Sequence, residues 1–214
     1  MRRIKDSYLE AIQTQVSFSG RKVLEIGCGI GTRTSQISQI ASHVTAIDPD
    51  DANIVQAMLS SSSNVEFLVG SAESLPFVAE DFDIVFFTLS FHHVPGHLMN
   101  AALDEAIRVV RRDGYIIFLE PAFTGSFFES ELMFNACDGD ERLVKSRAYA
   151  AMLEHHGLKE VCELFDETIF TFESVDDFME FMHPRRRIDQ LEPFLRDHQF
   201  TLHAARRINI FRPL

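Results

Sequence analysis

No stretch of about 18 consecutive apolar residues, the length a membrane-spanning helix needs, occurs anywhere in the chain. The amino terminus, Met1-Arg2-Arg3-Ile4-Lys5-Asp6, is basic but leads into no apolar segment of the kind that directs secretion. Cysteine is scarce: Cys28, Cys137 and Cys162 are scattered and odd in number, which suggests neither a disulfide framework nor a zinc site. A cytoplasmic protein without a membrane partner is expected. Basic residues are outnumbered, 20 Lys and Arg against 32 Asp and Glu, giving a formal net charge of −12. Binding a phosphate backbone relies on cationic side chains that displace counterions, so a nucleic-acid partner is not expected. The basic cluster Arg185-Arg186-Arg187 reads as the solvated start of a helix. What remains is 214 residues with 46% hydrophobic and 24% charged content, enough for one globular domain with a full core.

The chain is organised around Val23-Leu24-Glu25-Ile26-Gly27-Cys28-Gly29-Ile30-Gly31-Thr32. A short apolar run opens into three glycines on alternate positions, and a helical pattern follows. This is a buried strand ending in a loop that lets a ligand touch backbone, because glycine tolerates positive φ and has no Cβ in the way. The helix behind the loop presents unsatisfied N–H groups. A dinucleotide fingerprint reads G-x-G-x-x-G; here the third glycine comes one residue early, which disfavours an NAD-linked oxidoreductase.

Alternating signals continue downstream. His43 to Asp48 is a second strand ending in an acid, seventeen positions after Gly31, where a carboxylate can accept ribose hydroxyls; Pro49 follows it. Val65 to Val69 is a third strand, followed by a turn-rich Gly70-Ser71-Ala72-Glu73-Ser74-Leu75-Pro76-Phe77. Ile84 to Leu89 is a continuous apolar run, as a parallel strand covered on both faces should be. After it come Ser90-Phe91-His92-His93, a helix through Leu103, Ala106, Ile107 and Val110, a turn at Arg111 to Gly114 and a fifth strand, Tyr115 to Leu119. Strands alternating with helices predict an α/β, doubly wound sheet.

The order of these segments resembles that of the class I S-adenosylmethionine-dependent methyltransferases, specifically the small-molecule, ubiquinone-biosynthesis-like group of type 11. Glu25, Gly27, Gly29 and Gly31 sit at the fixed positions of the family's E-x-G-x-G-x-G. Gly70-Ser71-Ala72-Glu73-Ser74-Leu75-Pro76-Phe77 stands where the family has G-D-A-x-x-L-P-F, with Ser71 in place of its aspartate. The segment Arg108-Val109-Val110-Arg111-Arg112-Asp113-Gly114 is similar to its R-V-L-K-P-G-G. The resemblance covers about residues 20–120. It implies a Rossmann-like, seven-stranded, mostly parallel sheet and S-adenosylmethionine as cofactor. Glu25, Gly27, Cys28, Gly29, Gly31, Thr32, Asp48, Pro49, Ser71, Ala72, Glu73, Thr88 and Leu89 would then hold the cofactor.

The implied plan is one domain over 1–214. Residues 1–19 hold an N-terminal helix over about 1–16, with Ile4, Tyr8 and Ile12 on one stripe, and residues 20–120 form the cofactor-binding core. Stretches 121–140 and 173–200 form a substrate cover rich in Phe and Met. The last two strands are expected near Leu158 to Phe172 and Leu202 to Phe211. Helices are expected over Glu141 to His156 and Ser174 to Met182, and over Arg185 to His198 with a kink at Pro193.

His93 is the expected catalytic base, with His92 and Glu120 as further candidates. Asp138-Gly139-Asp140-Glu141 reads as a helix start, and no metal site is expected. Thr88-Leu89-Ser90-Phe91 lacks the [DN]-P-P-[FY] of enzymes that methylate bases or glutamine, which points to a small, partly apolar metabolite as acceptor. A non-catalytic S-adenosylmethionine-binding protein is the rival reading, kept open by Ser71, and a homodimer through the extra helices is compatible with either.

Overall fold

The computed structural model describes residues 1–59 and 62–214. The sequence of turn formers Ser60-Ser61-Ser62-Ser63-Asn64 predicts a loop there, and its Ser60 and Ser61 lie outside the described residues. Apolar strand centres and amphipathic helices build a three-layer α/β arrangement. Its elements in order are β1 (Arg2–Asp6), α1 (Tyr8–Gln13), β2 (Lys22–Ile26), α2 (Thr32–Ser38), β3 (His43–Asp48), α3 (Asp51–Met58), β4 (Val65–Val69), β5 (Phe82–Thr88), α4 (Met99–Val109) and β6 (Val110–Pro121). Then come α5 (Ser126–Phe134), α6 (Arg142–Glu154), β7 (Leu158–Thr171), α7 (Val175–Met182), α8 (Leu191–Asp197) and β8 (Thr201–Pro213).

The sheet has eight strands, not seven, in the order β1-β7-β8-β6-β5-β2-β3-β4. β2 through β6 pair in parallel, whereas β1, β7 and β8 pair antiparallel at one side. The additional strand comes from the N-terminus, where a helix over 1–16 was expected. Arg2 to Asp6 instead pairs with Thr168 to Thr171, and only Tyr8 and Ile12 keep the expected buried stripe. Edge pairing supplied by β7 outweighs the weak local helix preference of so short a segment. Ile4 accordingly points outward, half exposed.

Three further corrections concern the second half. The expected turn at Arg111 to Gly114 is absorbed into β6, with a bulge in its pairing between Phe82 and Ile84 of β5. The connection 121–140 contains a helix, α5, that packs on β8. Arg185 to Arg187 are not helical: Arg185 donates to the carbonyls of Asn135 and Cys137, and Arg186 to those of Leu132 and Met133, so both cap the end of α5. α8 begins only at Leu191, which puts Pro193 in its first turn. The missing N–H has no helical partner there, so no kink results.

Beneath the sheet's carboxyl edge, aromatic rings lock the central strands together. Phe118 of β6 stacks on Phe87 of β5 at 4.8 Å, with Phe91 and Phe211 edge-on at 5.1 and 5.8 Å. A separate apolar cluster of Phe134, Phe172, Phe178, Leu191 and Leu195 joins α5, α7 and α8, so Phe178 is core, while Phe181 is about half exposed. No helix among the described residues is long and apolar enough to cross a membrane. Phe118→Ala should cost about 3–5 kcal/mol by urea denaturation, the range for an emptied aromatic core site. Phe165→Ala, at an exposed position, should stay within about 0.5 kcal/mol.

Candidate functional site

Strand order reverses between β2 and β5, and doubly wound sheets hold ligands beyond the carboxyl ends of the strands at such a point. Two loops diverge there. The loop after β2 carries the glycines; the loop after β5 carries Leu89, Ser90 and a 3₁₀ turn over Phe91–His93. Gly27 sits at φ +76°, and a Cβ on it would lie 2.1 Å from Ser90 Cβ. Only glycine permits this approach, which Ser90 seals by donating its hydroxyl to the Ile26 carbonyl at 2.5 Å. Leu89 takes the left-handed region at φ +58°, a strained choice for a branched side chain that marks functional turns.

Between the loops lies a cavity of about 370 Å³. Of the expected cofactor residues, Gly27, Gly29, Asp48, Pro49, Ser71, Ala72, Glu73 and Leu89 line it, joined by Ser90, His93, Val94 and Pro95. Asp48 is buried at the end of β3. Its carboxylate accepts from the Gly29 N–H at 2.8 Å, the Asp50 N–H at 3.1 Å and the Asn53 amide at 3.0 Å. The residue therefore pins the glycine loop; Oδ1 already accepts two hydrogen bonds, and Oδ2 keeps one lone pair to offer. A Cβ at Gly29 would meet nothing within 4 Å.

Glu25, Cys28, Gly31, Thr32 and Thr88 lie outside the lining. Gly31 caps α2 and Thr32 opens it. Cys28 is buried among apolar neighbours, which pushes its thiol up and leaves it unreactive. Glu25 is fully buried, and one carboxylate oxygen accepts from the Thr88 hydroxyl at 2.7 Å. Its other oxygen has no partner among the described residues, and burial raises its pKa. A spare carboxylate acceptor at Asp48 beside an open glycine loop fits a ligand that brings hydroxyl donors, as a ribose does.

A second cavity of about 230 Å³ adjoins the first, and Leu89 and His93 line both. Its other walls include Phe127, Phe128, Glu131, Glu141, Lys145 and Arg206. His93 is exposed on its side chain, and burial followed by the nearby His92 lowers its pKa below the usual imidazole value. His92 is buried, with Nδ1 against the Glu120 carboxylate, whose other oxygen accepts the Phe91 N–H at 2.9 Å. Glu120 thus fixes the histidine turn and does not line either cavity. The stretch at Asp138 to Glu141 does start a helix, as expected, and Glu141 also faces the histidines. Ligand atoms of His92, His93 and Glu141 lie within 4.8 Å of one another, but the Lys145 ammonium stands 3.1 Å from Glu141 and competes with any cation.

Glu131, Lys145 and Arg206 were not candidate site residues from the sequence, where Arg206 counted only as half of the basic pair Arg206-Arg207. Arg206 left one trace: Leu202, Ala204, Arg206 and Ile208 alternate along β8, so a charge occupies an otherwise apolar face.

The sequence profile of a methyltransferase domain matches residues 24–118. Phthiotriol/phenolphthiotriol dimycocerosates methyltransferase 1 of Mycobacterium ulcerans is 32% identical over 124 residues, 56% of this chain and 45% of its own length. A ubiquinone biosynthesis O-methyltransferase of Pseudomonas fluorescens is 32% identical over 111 residues, 50% of this chain and 47% of its own. The chain thus spans about half the length of these curated relatives. A solved S-adenosylmethionine-dependent methyltransferase of Methanosarcina mazei superposes with a TM-score of 0.62 at 14% identity, covering 95% of this chain and 97% of that one, which shows the shared fold. Residues 24–118 are thus similar to the methyltransferase domain, and the chain as a whole shares the fold of solved S-adenosylmethionine-dependent methyltransferases.

Proposed function

We propose that the protein transfers the methyl group of S-adenosylmethionine to a small, partly apolar metabolite. The observation that carries this reading is the pair of cavities that share Leu89 and His93: one suits a nucleoside cofactor, the other an acceptor. In the first, Asp48 would receive the ribose hydroxyls. Ser71, Ala72 and Glu73 would border the adenine, and Glu25 would brace the loop from behind through the Thr88 hydroxyl. When bound, the cofactor supplies a methyl group on a sulfonium, which is already a good leaving group.

The chain's own task is then alignment, exclusion of water and, for a hydroxyl or ammonium acceptor, removal of a proton. Phe127 and Phe128 supply apolar walls around the acceptor. His93 is the one histidine that faces both cavities, and its lowered pKa leaves the imidazole neutral near pH 7, ready to take a proton. The Glu120–His92 contact holds the turn that presents it.

Two outcomes test this. Asp48→Ala should weaken S-adenosylhomocysteine binding by about 1.5–3 kcal/mol, the range for charge-assisted hydrogen bonds, as read by titration calorimetry. NAD and ATP serve as controls: tighter binding of either would overturn the cofactor assignment, and an unchanged affinity in the variant would reduce Asp48 to an anchor of the glycine loop. His93→Ala should lower the methylation rate by about 10²–10⁴. In the native protein the rate should fall as pH drops through the His93 pKa, below the ordinary value of about 6.5, because protonation removes the base. That acid limb should vanish in the variant, and its persistence would assign it to another group.

A further inference from the structure

We infer that the acceptor carries a single carboxylate and that Arg206 is the group that holds it. This rests on the methyltransferase reading only for the word acceptor; the anion seat itself stands on the geometry of β8 and the second cavity.

Arg206 is 7% exposed and lines that cavity. Among the described residues its guanidinium makes no hydrogen bond and no ion pair, and its Nε is fully buried without a partner. Most of the other arginines of the fold are provided for. Arg108 is held by Glu105 and two carbonyls, Arg111 by Asp83, and Arg185 and Arg186 by the end of α5. A guanidinium offers five donors in a rigid fork that matches a carboxylate edge to edge. Leaving such a charge buried and unpaired is costly, which fits a seat for an anion that arrives with a ligand.

The neighbouring charges make the deficit worse. Arg33 and Arg3 repel Arg206, whereas Asp6 and Glu131 attract it without coming within ion-pair distance. Burial, the largest effect, draws its pKa down to about 10, so it remains charged at neutral pH. Glu131 is pushed up to about 7 by its own burial and is a poor permanent counterion.

Charge sorting within the cavity argues for a monoanion. Its cations are Arg206 and Lys145, and Lys145 is already 3.1 Å from Glu141. The acids Asp138 and Glu141 act on His93, while Glu131 is the only acid of the cavity that acts on Arg206. The cavity thus has a histidine end with carboxylates and an arginine end that wants one. A dianion would meet three acidic side chains with one free cation to balance it. The cavity volume of about 230 Å³, smaller than the first cavity's 370 Å³, suits a compact ligand. A small hydroxy- or aminocarboxylic acid with an apolar body against Phe127 and Phe128 satisfies all of these conditions.

The test uses the full chain and three probes of one shape: benzoate, benzamide and phenyl phosphate, titrated by calorimetry with and without saturating S-adenosylhomocysteine. Benzoate should bind at least tenfold more tightly than benzamide and more tightly than phenyl phosphate. Arg206→Met should abolish that preference while leaving S-adenosylhomocysteine affinity unchanged, and Arg206→Lys should restore part of it. The thermal midpoint of ligand-free Arg206→Met should hold or rise, because an unpaired buried charge has been replaced by an apolar chain.

Equal binding of benzoate and benzamide by the native protein, or binding of neither, overturns the proposal without any variant. Preference for phenyl phosphate overturns the monoanion. If Arg206→Met weakens S-adenosylhomocysteine instead of benzoate, the guanidinium serves the cofactor's own carboxylate and the proposal fails. Should S-adenosylhomocysteine not bind at all, the methyltransferase reading fails, and the benzoate comparison on the ligand-free protein still decides Arg206.

Discussion

The site depends on one close approach. Gly27 and Ser90 pass with no room for a Cβ between them, and the contact ties the loop after β2 to the loop after β5. Both loops begin at the point where strand order reverses, so the sheet opens there and nowhere else along β2 and β5. The first cavity fills the opening. The second begins on the far side of Leu89, whose left-handed backbone turns the chain between them. A Cβ at Gly27 would push Ser90 away and distort both walls at once.

Polar anchors hold this contact in register. Asp48 reaches back to Gly29, so β3 fixes the glycine loop; Glu120 holds Phe91 and His92, so β6 fixes the histidine turn. Each carboxylate sits at a strand's carboxyl end and satisfies backbone N–H groups that the loops would otherwise leave open. The aromatic stack of Phe87, Phe91 and Phe118 makes the same connection in apolar terms. Binding machinery and stability are therefore shared, and substitutions at Asp48 or Glu120 act on loop geometry as well as on any ligand.

The use of arginine is unusual for so acidic a chain. Arg185 and Arg186 terminate a helix, Arg108 and Arg111 tie strands and loops, and Arg207 lies over Tyr149 at 3.8 Å. These assignments leave Arg206 as the exception on its strand. An inward charge on an alternating apolar strand carries information that its exposed neighbours do not, since burial must be compensated by something.

By itself the sequence determined the strand–helix alternation of residues 20–110, the glycine loop with Asp48 behind it, and the position of His93. These rest on local chemistry: period-two and period-3.6 patterns, the positive φ of glycine and the short range from a strand end to its loop. Strands β7 and β8 were legible for the same reason. The tertiary structure decided the rest. Residues 2–6 became a strand because β7 offered an edge, and Arg185 to Arg187 became caps because α5 ended beside them. The buried pairing of Glu25 with Thr88 and the burial of Cys28 were equally invisible. The second cavity needed most help, since it gathers His93, Phe127, Glu131, Lys145 and Arg206 from four separate segments. Contacts so distant along the chain leave no periodic trace in it, and only packing brings their charges close enough to matter.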